Sequence, residues 1–68
     1  MKGNRIKLLR EEKKIRQDEL AKVLSISPSA VGMYERDERE PNDEITLKLA
    51  EYFGVSTDYL LGKSDIRN

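Results

Sequence analysis

The sequence predicts an all-α domain, a compact bundle of five short helices. Apolar residues recur at helical spacing along most of the chain. Start and stop residues (Ser27-Pro28, Asn42-Asp43, Gly54, Ser56 and Gly62) cut it into short segments with short connections. Of the 68 residues, 37% are hydrophobic and 38% charged, with three Tyr and one Phe as the only aromatics. That composition suits packed helices with a solvated surface better than a β-sandwich. The chain reads as a single domain over residues 1–68, with 63–68 a polar, flexible tail.

Ile6, Leu9 and Ile15 alternate with charged residues, so residues 4–14 form the first amphipathic helix. Gln17 to Leu24 is the second. Asp18 and Glu19 suit its positive N-terminus, and Leu20, Ala21 and Leu24 line one face. Ser25-Ile26 is a turn whose Ile plugs the space between helices. Ser27 is a good N-cap and Pro28 fits the first helical position, so a third helix runs from Pro28 to about Asp37. Within it Val31 and Tyr34 face inward, and Gly32 costs roughly 1 kcal/mol relative to Ala. A charged loop closes at Pro41. Asn42 or Asp43 caps a fourth helix, with Ile45, Leu49 and Phe53 in register and Gly54 as its stop. Ser56 caps the last helix, Thr57 to Leu61, which ends at Gly62.

There is no Cys and no His. Disulfides, thiol nucleophiles, the usual zinc ligands and the commonest general base are therefore absent. No two residues are spaced as nucleophile and base, and so small a helical domain offers little pocket, so the chain is not read as an enzyme. No cofactor, metal or small-molecule ligand is expected. No apolar run reaches the length of a membrane span and no signal peptide is visible, which makes a cytoplasmic location the default. The formal charge is zero, with 13 basic and 13 acidic residues. Their distribution is uneven: residues 1–24 hold eight Lys/Arg against four acids, whereas 25–44 hold Arg36 and Arg39 against six. A phosphate-facing surface is therefore expected mainly from the first third.

Gln17 to Glu35 has the layout of two helices joined by a tight turn, the arrangement by which small proteins place one helix in the DNA major groove. Three stretches, IKLLREEKKIRQDELAKVLSIS, SAVGMYERDEREP and LKLAEYFGVSTDYLLG, occur in order over residues 6–62. In these the chain resembles the Cro/cI-type helix-turn-helix domains of the XRE family. The resemblance implies a lambda-repressor-like five-helix fold with its helix-turn-helix at residues 17–36. It also implies double-stranded DNA as partner, bound by a homodimer on a two-fold-related site.

The resemblance sets Gln17 against a backbone phosphate and Pro28, Ser29, Gly32 and Met33 in the major groove. It makes Arg10 and Glu35 a partly buried ion pair between the first and third helices. Arg16 stands where the family has a Ser or Thr cap, losing the cap but adding a cation beside the phosphate path. Asp37 stands where Gly is common. The expected DNA-binding set is thus Arg16, Gln17, Ser27, Pro28, Ser29, Gly32, Met33, Arg36 and Arg39, with Asn4 a further phosphate candidate. Arg36, a turn beyond the reading face, is assigned to phosphate.

That face has none of the Arg, Lys, Asn or Gln side chains that read bases bidentately. Met33 can pack on a thymine methyl, or serve as an apolar interface residue. Recognition is then expected through shape, methyl contacts and DNA deformability. The resulting reading is a transcriptional regulator, most simply a repressor. The alternative is a protein-interaction module of the same fold, antitoxin-like or an anti-repressor partner, which the zero net charge and acidic loop would suit. Val55, Tyr59, Leu60 and Leu61 are either a dimer patch or core.

Overall fold

The computed structural model describes residues 3–68; Met1 and Lys2, the latter one of the eight N-terminal cations, lie outside the described residues. Five helices follow one another: α1 (Gly3–Glu12), α2 (Gln17–Leu24), α3 (Pro28–Glu35), α4 (Asp43–Phe53) and α5 (Thr57–Leu61). No strand occurs among the described residues. One core joins all five. Ile6 and Leu9 enter it from α1, Leu20, Ala21 and Leu24 from α2, and Ala30, Val31 and Tyr34 from α3. Ile45, Leu49 and Ala50 of α4 complete it with Tyr59 and Leu60 of α5. Tyr59 and Leu60 are therefore core residues, while Val55 and Leu61 remain partly accessible.

All five helices end by the same device. A residue with positive φ follows the last turn: Lys14, Ser25 and Asp37 (each φ 57°), Gly54 and Gly62. In each case its N–H reaches back three residues, and the next N–H reaches back five. These paired bonds satisfy carbonyls that the helix end leaves open. The device shortens two helices relative to expectation. The first ends at Glu12 rather than 14, and the third at Glu35 rather than about Asp37, because the left-handed residue turns the chain out of the helix.

At the N-termini, Ser27 Oγ accepts from Ala30 N–H at 3.2 Å and Asn42 Oδ1 accepts from Ile45 N–H at 2.9 Å. Ser56 Oγ accepts from Tyr59 N–H at 3.1 Å. A guanidinium has no acceptor, so Arg16 cannot cap α2 through its side chain. The reciprocal half of a capping box compensates, with Glu19 accepting from Arg16 N–H at 3.2 Å.

The start of α1 is capped from outside. Gly3 N–H donates to Asp37 Oδ1 at 2.9 Å, bringing α1 against the end of α3. A carboxylate at a helix N-terminus is favourably placed, so Asp37 has a structural partner within the fold. The approach leaves no room for a side chain: a Cβ on Gly3 would lie 2.1 Å from Tyr34 O. Gly3→Ala is expected to cost about 1–3 kcal/mol through forced separation of α1 and α3. A urea midpoint unchanged from wild type would show that the two helices are not in this contact.

Residues 63–68, expected as a flexible tail, lie along α1 and α5. Arg5 donates to Ser64 O at 2.6 Å and to Asp65 Oδ1 at 2.5 Å, and its guanidinium lies 4.3 Å from the Tyr59 ring centre. Arg67 pairs with Glu12 at 2.8 and 2.9 Å, and its carbonyl accepts from Ser56 N–H. Arg67 holds the Glu12 carboxyl below its ordinary pKa. The tail is polar in sequence, but its partners are Arg5 and Glu12 on α1 and the Ser56 N–H at the start of α5, which no local pattern reveals.

Candidate nucleic-acid interface

The turn between α2 and α3 rests on Ser25 in the left-handed region and on the Ser27 cap, with Pro28 at the first turn of α3. The sequence periodicity then divides α3 in two. Ala30, Val31, Tyr34 and Glu35 point inward, while Pro28 and Ser29 are exposed and Met33 is half-buried at the edge. Gln17, Pro28, Ser29, Gly32, Met33, Arg36 and Glu38 together line one shallow surface recess. Most of the residues expected at a reading face therefore share a single site.

Behind this face lies a polar network centred on Glu35, whose side chain is 3% exposed. Arg10 Nε donates to Glu35 Oε2 at 2.6 Å and Arg10 Nη2 to Oε1 at 3.2 Å, while Arg10 Nη1 donates to Ile15 O at 3.0 Å. The hydrogen bond to Glu35 raises the Arg10 pKa further above its already high value. Gln17 Nε2 donates to the same Oε1 at 2.9 Å. One carboxylate thus ties α1, α2 and α3 together. No buried side-chain nitrogen or oxygen among the described residues lacks a partner. The bond to Glu35 also fixes the Gln17 amide, leaving its second N–H and its carbonyl oxygen to serve an outside group.

The cations are less available than the sequence implied. Arg5 and Arg10 are built into the fold, with side chains 12% and 13% exposed. Lys13 lies 4.8 Å from the Tyr52 ring centre. Arg16 is exposed but sits within 3.3 Å of Asp18 and 3.4 Å of Glu19 on its own helix. Packing thus takes two arginines of the first third inward and leaves Lys7, Lys13, Lys14, Arg16 and Lys22 as its exposed cations among the described residues. Ser27 is exposed, with its oxygen engaged in the α3 cap. Arg39 and Asn4 are exposed outside the recess.

Arg36 departs most from expectation. Its Nε donates to Glu38 Oε2 at 2.8 Å and its Nη2 to Glu38 Oε1 at 3.2 Å. These bonds raise the Arg36 pKa and lower that of Glu38, so both groups are charged at neutral pH. A Cβ on Gly32 would stand 3.0 Å from Arg36 Nη1. The side chain therefore lies back over α3 into the recess instead of extending one turn beyond it. Sequence reasoning missed Glu38. Residues two apart do not face each other on a helix, and this pair meets because Arg36 has already left helical geometry at φ −95°, ψ 4°.

The family model described as Helix-turn-helix matches residues 6–60. The HTH-type transcriptional regulator ImmR of Bacillus subtilis (strain 168) is 42% identical over 64 residues, covering 94% of this chain and 50% of that protein. Repressor protein C2 of Salmonella phage P22 is 44% identical over 64 residues, covering 94% of this chain and 29% of that protein. The chain therefore spans half of the first relative's length and under a third of the second's. Among solved structures, the P22 c2 repressor protein in complex with synthetic operator 9T superposes with a TM-score of 0.82 at 43% identity. That match covers 85% of this chain and 88% of the other.

Proposed function

Because the chain belongs to the helix-turn-helix family of Cro/cI type, we propose that it binds double-stranded DNA with α3 in the major groove and represses transcription. Its relatives are transcriptional regulators, and the chain is not an enzyme. The observation that carries the proposal is the superposition of this chain, over 85% of its length, on an operator-bound repressor. Gln17, held by Glu35, offers its remaining N–H to a phosphate beside the N-terminus of α2, where backbone amides also favour an anion. Arg16 adds charge there by exchanging Asp18 and Glu19 for phosphate. Ser29 and Met33 face base edges, Met33 offering its thioether to a thymine methyl.

We further propose a homodimer. Leu47 is 61% exposed and, with Thr57 and Leu61, lines an apolar depression between α4 and α5. Pairing across it would align two reading helices on a two-fold site. No helix among the described residues is long and apolar enough to cross a membrane.

Duplex binding measured over a range of salt tests the phosphate assignments. Arg16→Ala with Gln17→Ala is expected to weaken all sequences together and to flatten the slope of log K against log salt by about one unit, the charge of Arg16. An unchanged slope would remove Arg16 from the phosphate path, and unchanged affinity of Gln17→Ala alone would remove Gln17. Failure of the wild-type protein to bind any duplex or heparin at low salt would instead favour a protein-interaction module.

A further inference from the structure

We infer that Arg36, braced by Glu38 over the bare backbone of Gly32, is the principal base-reading residue of this domain and recognises a guanine. The inference deepens the DNA-binding reading and rests on it. The outward face of α3 lacks a bidentate donor in sequence: Pro28, Ser29, Gly32 and Met33 offer one hydroxyl, one thioether and no fork. The structure supplies the fork from outside the helix. Arg36 is the residue at which α3 ends, and its side chain turns back into the recess with Pro28, Ser29 and Met33.

Which edge of the guanidinium is used follows from the two bonds to Glu38. They occupy Nε–H and one N–H of Nη2, the side-on edge of the planar group. The end-on edge, one N–H from Nη1 and the second from Nη2, is left as two parallel donors. That spacing matches O6 and N7 of guanine, the pattern that sets G·C apart in the major groove. A phosphate accepts the same fork, and sequence selection read together with salt dependence separates the two.

Gly32 provides the space. A Cβ at that position would stand 3.0 Å from Nη1, tight enough to push the guanidinium away from the helix. The helix-weakening glycine thus makes room for this chain's own arginine. Glu38, half-exposed in an acidic loop, limits the rotamers of Arg36 before binding, so less side-chain freedom is lost on contact.

The test is selection from a random duplex library at two salt concentrations, with wild type, Arg36→Lys, Arg36→Ala and Glu38→Gln. Wild type is expected to require guanine at one position in each half-site. Arg36→Lys keeps the charge and loses the fork, so it should lose that requirement by roughly ten- to a hundred-fold while its salt slope stays within about one unit of wild type. Arg36→Ala should lose it as well. Glu38→Gln should weaken the guanine preference at that same position while leaving non-specific affinity equal or higher. The inference is overturned if Arg36→Lys retains the preference, or if Arg36→Ala weakens every sequence equally, as a phosphate contact would. It is also overturned if Glu38→Gln tightens all sequences with discrimination intact, which would make Glu38 a competitor for Arg36. A wild-type protein that binds no duplex would overturn the DNA-binding reading itself, a result distinct from these.

Discussion

Glu35→Leu alone is expected to cost about 3–5 kcal/mol of folding stability, because it strands Arg10 in a site where its side chain is 13% exposed. The same change removes the acceptor of Gln17 and so loosens α1 and α2 from α3 together. Total stability for a domain of this length is roughly 3–10 kcal/mol. The single variant is therefore expected to be largely unfolded at ambient temperature, visible as lost helical circular dichroism. Its complement is Arg10→Met with Glu35→Leu, which leaves no charge without a partner and should recover most of the loss. A loss below about 1 kcal/mol for Glu35→Leu would mean that the pair behaves as a surface ion pair.

The second large effect is expected at Leu49. This side chain is fully buried, with 0% exposure, between α4 and the rest of the core. Leu49→Ala should cost about 2–5 kcal/mol from lost transfer energy and the cavity left behind. Leu47 is the same residue type two positions earlier but is 61% exposed. Leu47→Ala should change the stability of the isolated domain by no more than about 0.5 kcal/mol. Equal urea midpoints for the two variants would show that α4 does not present this face to the core.

The contrast between Leu47 and Leu49 also shows what the sequence made legible. Helical spacing placed Leu20, Leu24, Val31, Tyr34, Ile45 and Leu49 inside, and cap chemistry located the starts of α3, α4 and α5. Three helix ends were legible, at the Ser25-Ile26 turn, at Gly54 and at Gly62. Gly54 and Gly62 announce a left-handed residue; Lys14 and Asp37 adopt the same backbone without announcing it, which is why α1 and α3 were read too long. The partner of Asp37 is the N–H of Gly3, 34 residues away, which no local pattern reveals.

The grouping of Gln17, Pro28, Ser29, Gly32 and Met33 on one face followed from spacing and from the family resemblance. The partners of the arginines did not. Arg5 meets the tail nearly sixty residues on, and Arg36 meets Glu38 only because the helix has already stopped. A side chain's reach is set by the fold, and local periodicity carries no record of it.

The inward–outward division of α3 separates two kinds of change. Residues that hold the helix in place, Ala30, Val31, Tyr34 and Glu35, are all buried, whereas Ser29 and Arg36 are exposed and lie outside the core. On the proposed reading, a new operator preference can arise by substituting the outer set without renegotiating the packing. Such a scaffold can be retargeted in small steps, each leaving a folded protein for the next to act upon.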